Sequence, residues 1–409
     1  MKIVCISLFF ILLCNLAPGQ NNLVLKVAPV SDSTTTRKDS VRTKQLDILD
    51  LISKVFKIYL SSKPDTAKIP PGKLLLSYAP AIGYTVEGAL EASFAMNGSF
   101  YTADPNSTSL SVIQTGAQYS EKHQLMVPFI SNVWLANNKW DMLGDWRYYK
   151  YPSYTYGLGS ATTYQNADLI DYSYVRVYQE ILRHFSSNYY LGIGYNLDYH
   201  FGISDPTPVT DFPVYNNGAI TTISSGLVAH FMYDNRTNQN NPKQAFYASV
   251  SYRVNSTILG SDQNWQMLLV DVRKYFKLSH NMVLAFWTWD EFTFSGMAPY
   301  LDLPSNGWDT YSNTGRGYIQ GRFRGPGMLY GETEFRFGIT KNGLLGGVVF
   351  VNATSVSNWP SGAFTNVFPG EGFGLRVKFN KYSDVNICID YGFGEQNSRG
   401  LFFNLGEVF

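Results

Sequence analysis

Residues 189–201 read YYLGIGYNLDYHF, and two sets of side chains separate along them. Tyr189, Leu191, Ile193, Tyr195, Leu197, Tyr199 and Phe201 form one set; Gly192, Gly194, Asn196, Asp198 and His200 form the other. A period of two is the repeat of a β-strand, whose successive side chains point to opposite faces. One face is oily and the other polar. The pattern returns near the C-terminus. Phe373, Leu375, Val377 and Phe379 oppose Gly374, Arg376, Lys378 and Asn380, and then Val385, Ile387, Ile389 and Tyr391 oppose Asn386, Cys388 and Asp390.

A soluble sandwich hides such oily faces between two sheets, whereas a transmembrane barrel turns them to lipid and fills its lumen with the polar ones. Several apolar faces reach the roughly 9–11 residues of a membrane strand, and Tyr and Phe recur toward segment ends, as girdle residues do. Composition agrees. The 409 residues carry a net charge of +1, are 15% charged and 16% aromatic, and include 29 Tyr and 27 Phe. So aromatic a chain is not disordered, and it lacks the basic excess of a nucleic-acid binder. Beyond the N-terminus no apolar run approaches the ~18 residues of a membrane helix; the densest, Leu344 to Val351, is broken by two glycines. In hydrocarbon every backbone N–H and C=O needs an internal partner, which only helices and closed barrels provide.

Candidate strands fall near 73–82, 87–101, 108–119, 123–134, 138–150, 170–182, 187–202, 218–234, 244–256, 263–277, 281–294, 327–339, 344–355, 369–380, 384–393 and 399–408. The expected fold is therefore all-β, a 16-stranded antiparallel transmembrane β-barrel over residues 73–409, and the even count suits a single-chain bacterial barrel. Long connections fall at 151–169, 203–217 and 295–326.

Ahead of the barrel, residues 1–19 (MKIVCISLFFILLCNLAPG) have one Lys, a short apolar core and a small-residue exit, which is a cleavable secretory signal peptide. Cys5 and Cys14 fall inside it, leaving Cys388 and no internal disulfide. Residues 20–45 are polar and rich in Ser and Thr, a flexible tether. Residues 46–62 place Leu46, Leu49, Ile52, Phe56 and Tyr59 at helical spacing, one amphipathic helix, with a linker to residue 72 sealed by Pro70 and Pro71.

The longest loop, 295–326, contains Gly315-Arg316-Gly317-Tyr318 and lies between the eleventh and twelfth strands. The strand after it includes Glu332, Thr333, Glu334, Phe335 and Arg336. Upstream, Tyr233-Asp234-Asn235-Arg236 is followed by Asn241-Pro242, and the chain closes on Phe403-Asn404-Leu405-Gly406 and, three residues on, Phe409. These motifs resemble the BamA/TamA family of outer-membrane barrels, the bacterial surface antigen family, over roughly the last 180 residues. The resemblance implies that the loop folds inward and that Arg316 is locked to acidic residues on the following strands. The face shared by Glu332 and Glu334 supplies the natural partners, because a guanidinium meets a carboxylate bidentately. Asn352 stands where an Asp is expected. Phe403, Leu405 and Phe409 match a C-terminal sorting signal. About 50 residues separate the signal peptide from the barrel, too few for a POTRA domain, so the chain resembles a POTRA-less member.

Enzyme chemistry is not expected, and neither is a metal or a cofactor. None of the five His forms HExxH, and there is no GxSxG elbow or phosphate loop. Asp198 and His200 share a lumen face, where a solvated pair is the simple expectation, and Cys388 is read as a small filler. An outer-membrane phospholipase would need a His beside a Ser on the lipid face, and His230 is the one candidate. The leading functional expectation is outer-membrane protein or lipid assembly or translocation through a lateral seam between the first strand (Leu74 to Ile82) and the last (Leu401 to Val408). The rival is a passive pore or structural barrel. The expected partners are outer-membrane lipid and periplasmic or outer-membrane assembly proteins, with no nucleic acid, for a monomeric barrel in a Gram-negative outer membrane.

Overall fold

A computed structural model describes residues 45–48, 50–51, 71–85, 89–206, 208–210, 212–236, 238–381 and 384–409. The signal peptide (1–19) and nearly all of the tether (20–45) and amphipathic helix (46–62) lie outside the described residues. The strands are β1 (Leu75–Thr85), β2 (Ala89–Phe100), β3 (Ser111–Ser120), β4 (Leu125–Trp134), β5 (Trp140–Lys150), β6 (Ser153–Thr155), β7 (Asp168–Ser186), β8 (Tyr189–Ser204) and β9 (Thr221–Asp234). They continue with β10 (Ala245–Asn255), β11 (Trp265–Ser279), β12 (Met282–Phe294), β13 (Gly327–Gly338), β14 (Leu345–Val356), β15 (Phe368–Asn380), β16 (Val385–Gly394) and β17 (Arg399–Leu405).

β6 is a three-residue strand laid beside β7. The other sixteen form an antiparallel meander in which each strand pairs with the next. The spacing of oily residues thus located the strands closely. The tight connections 187–188 and 280–281 lie at one end of the meander, and the longest loops, 205–220, 295–326 and 357–367, lie at the other.

Burial follows the alternation. On β8, Ile193 is 70% exposed while its polar alternates Asn196, Asp198 and His200 are buried. The same outward exposure marks Leu191, Leu227, Phe231, Val349, Val351 and Phe373. An oily band this broad around a soluble monomer would be an aggregation hazard; around a membrane barrel it is the lipid contact.

Two corrections concern the ends of the sheet. The last strand, expected to run to residue 408, stops at Leu405. Gly406 takes φ +96°, a left-handed turn that suits glycine, and Val408 and Phe409 are buried inside the lumen. The turn is held by Gly406 N–H donating to the Asn386 carbonyl at 2.8 Å and by Cys388 Sγ donating to the Gly406 carbonyl at 3.0 Å. The Glu407 carboxylate is drawn the same way, 2.8 Å from Arg376 Nε. Second, among the described residues no register joins β1 to β17, so the meander is not closed by a ladder. The β1 strand has eleven residues and β17 seven.

Candidate functional site: the inward loop and its charge network

Gly315 (φ +81°) and Gly317 (φ +108°) flank Arg316 in conformations that L-residues with side chains rarely adopt. The tight double turn aims Arg316 into the barrel wall, where it is 1% exposed. Its Nη2 donates to Glu332 Oε1 and Glu334 Oε1. Its Nη1 donates to Asp390 Oδ2 at 2.5 Å. The guanidinium lies over the Phe350 ring, 3.7 Å from its centroid, which places the planar cation on a π face as well as among carboxylates.

Glu332 and Glu334 are two apart on β13 and so share its lumen face. Asn352, opposite Glu332 on β14, does not meet the guanidinium. Its Nδ2 donates to the Arg316 carbonyl at 2.9 Å, so it anchors the loop backbone and leaves the charge to others. Tyr318 is buried as well: its hydroxyl donates to the Pro369 carbonyl at 2.5 Å and accepts from Glu395 N–H at 2.9 Å.

The strand wall is shaped to receive this tip. A Cβ built on Gly392 would sit 2.6 Å from Gly317 N, one on Gly394 2.5 Å from the Tyr318 ring, and one on Gly370 2.8 Å from the Arg316 carbonyl. The three glycines form a trench on the lumen side of β15 and β16. Asp390, Gly392 and Gly394 alternate in the sequence DYGFG, so the missing Cβ atoms were legible as a glycine run at period two on the polar face. Sequence reasoning missed that run, and with it Asp390.

The network extends further than the expected pair. Arg336 Nε donates to Glu334 Oε2 at 2.6 Å, and Arg376 binds Asp390 and Glu407. Arg336 Nη2 also donates to the Phe409 carbonyl at 3.1 Å. Three guanidiniums (Arg316, Arg336, Arg376) thus face four carboxylates (Glu332, Glu334, Asp390, Glu407), joining loop, strands and C-terminal tail. Phe409 stacks on Trp287 with centroids 5.2 Å apart.

A local signal recurs in the lumen: an acid two residues before an Arg on one strand face. Asp145/Arg147, Asp271/Arg273 and Glu334/Arg336 pair this way within strands, because residues i and i+2 of a strand are neighbours on one face, and Asp234/Arg236 repeats the pairing where β9 ends. The Asp234-x-Arg236 turn noted in the sequence is one instance. The expectation of a solvated Asp198–His200 pair is corrected. Asp198 is dry, bound by Arg253 at 2.6 Å, Arg176 at 3.1 Å and the Tyr174 and Tyr178 hydroxyls, while His200 stacks on Tyr174. His230 also differs from the lipid-facing position that a surface lipase needs: it is buried on the lumen side of β9. Among the described residues no cluster of His, Cys, Asp and Glu has metal-binding geometry.

A sixteen-strand antiparallel meander with an oily outside, a charged inside and a long loop folded inward defines the class: an all-β barrel fold whose outer face suits lipid. Comparison with solved structures gives the same fold. The chain resembles BamA from Haemophilus ducreyi lacking POTRA domains 1–3, with TM-score 0.54, 15% identity, 81% of this chain and 70% of that one covered. It also resembles CdiB from Acinetobacter baumannii, with TM-score 0.53, 11% identity and 81% of this chain covered, spanning 59% of CdiB. No protein-family model and no curated protein sequence matches the chain.

Proposed function

We propose that this protein is an exported barrel of a Gram-negative outer membrane that serves outer-membrane protein or lipid assembly, or translocation, through a lateral seam between β1 and β17. The reading draws on the BamA-like and CdiB-like fold, and the observation that carries it is the seam. Every other neighbouring pair in the meander shares a ladder, while the last strand is short and the tail after it turns Val408 and Phe409 into the lumen. An unpaired edge is a template for another strand. Loop 295–326, held by Arg316, keeps the lumen filled, so traffic would pass sideways at the seam rather than down an open pore. This role needs no catalytic residue, and delivery to the barrel would fall to partner proteins.

The test is a set of cysteine pairs between positions 77–83 and 401–405 in a Cys388→Ser background. Pairs across the seam should crosslink under oxidant. Locking should lower the yield of folded outer-membrane barrels in the producing cell and raise its sensitivity to large antibiotics, both restored by reductant. Full function in a quantitatively locked barrel would refute a working seam.

A further inference from the structure

The assembly role leaves unused one lumen cluster on the wall formed by β7 to β10. His230 on β9 lies with Nε2 2.8 Å from Ser249 Oγ on β10 and Nδ1 2.5 Å from Glu180 Oε2 on β7. Hydroxyl, imidazole and carboxylate are in series, each ring nitrogen on a different partner. The carboxylate reaches across an intervening strand. Glu180 is in register with Gly194 of β8, and His230 with Gly192. A Cβ at Gly194 would sit 2.5 Å from Glu180 Cγ, so the glycines at 192 and 194 open the gap through which Glu180 meets the imidazole. A buried imidazole has two ring nitrogens to satisfy; here the sequence gives up side chains on β8 so that a carboxylate meets one nitrogen while a hydroxyl meets the other.

From the connectivity of these three groups we propose that Ser249, His230 and Glu180 form a nucleophilic triad inside the barrel that cleaves carboxylic esters with an apolar acyl group. Glu180 fixes the tautomer and orientation of His230 and offsets the imidazolium, as the acid of a serine-hydrolase triad does. Ser249 Oγ attacks the ester carbonyl while its proton passes to His230 Nε2. The C–O bond to the alcohol then breaks, and the alcohol leaves with that proton. Water, deprotonated by the same nitrogen, attacks the acyl-serine, releasing the carboxylic acid and returning the proton to Ser249. Tyr247, two residues from Ser249 on the same face of β10, has the Arg236 guanidinium 4.2 Å and that of Arg273 5.2 Å from its ring centroid. Its phenol O–H is the candidate donor to the developing oxyanion. The acyl preference comes from the neighbours on the short-turn side: Leu182, Tyr190, Met232 and Trp134 form an apolar cluster against which Tyr247 packs. In an outer-membrane barrel that side is periplasmic.

Ser249 is only 5% exposed, so the probe must be slender. Purified full-length barrel in detergent, its fold checked by heat-modifiable gel mobility, is treated with diisopropyl fluorophosphate and read by intact mass and peptide mapping. The expected result is one adduct on Ser249 and none in Ser249→Ala. His230→Ala should slow labelling by about 10²–10⁴-fold, the usual contribution of a general base. Glu180→Gln and Gly194→Ala should slow it as well. Ser251→Ala, opposite His230 on β10, should label at the wild-type rate. Hydrolysis of p-nitrophenyl esters should favour longer acyl chains and follow the same variant order. A folded wild-type barrel that takes no label, or a label that persists in Ser249→Ala, overturns the proposal. Either result leaves the seam untouched, because the crosslinking experiment reads a different part of the molecule.

Discussion

Replacing Arg316 by Ala takes its guanidinium out of a pocket in which Glu332, Glu334 and Asp390 are essentially fully buried. Arg336 and Arg376 still face Glu334 and Asp390, but Glu332 loses the one cationic partner it has among the described residues and keeps the Tyr330 hydroxyl. Breaking a buried pair by removing one member costs about 3–5 kcal/mol, because the remaining charge is stranded in low dielectric. Unfolding entropy near 2 cal/mol/K per residue amounts to ~0.6 kcal/mol/K for a domain of about 300 residues, so the midpoint should fall by roughly 5–8 °C. Heat-modifiable gel mobility of the detergent-solubilised barrel reads that midpoint. Single barrels in planar bilayers read the second consequence: a freed loop opens the lumen, so conductance should rise from near zero to a steady open level. Arg316→Lys keeps the charge but loses the planar fork, and should fall between wild type and Ala on both readouts. An Ala variant with unchanged melting and unchanged conductance would mean that Arg316 pins nothing.

Three further outcomes follow from the geometry. Gly394→Ala drives a methyl into the Tyr318 ring, which is held at its hydroxyl by Pro369 and Glu395; overpacking of this kind costs about 1–3 kcal/mol, and protease sensitivity of loop 295–326 should rise with it. Phe409→Ala removes a ring that is 2% exposed and stacked on Trp287, so the urea midpoint should drop by the equivalent of about 3–5 kcal/mol; an unchanged midpoint would show that the tail does not rest in the lumen. Asp302, in the long loop, has its carboxyl pushed up to about 7, first by burial and then by the negative Asp198 nearby. Its pKa in the unfolded chain is ~3.9, so the folded state holds the proton more tightly. That contribution to stability is complete below about pH 4 and is lost as pH rises to 7. Urea midpoints should therefore decline between pH 5 and pH 8, and Asp302→Asn should flatten this decline.

Local alternation by itself determined the all-β class, the positions of sixteen strands and the division into an oily and a polar face. Each follows from a two-residue repeat that needs no distant contact. The same holds for Arg316 between two glycines and for Glu332 and Glu334 on one face, since their spacing alone puts them together. Only the tertiary structure decided which strands stand next to one another across the lumen. It brought Asp390, 74 residues beyond Arg316, onto that guanidinium and Arg376 onto the same carboxylate, turned Asn352 onto a backbone carbonyl, and folded Phe409 inward at Gly406 toward Arg336 and Trp287. It likewise joined Glu180 to His230 through a gap in β8. Period two tells which face a side chain takes. It carries no information about which partner waits on that face, because barrel curvature and strand register bring together residues far apart in the chain.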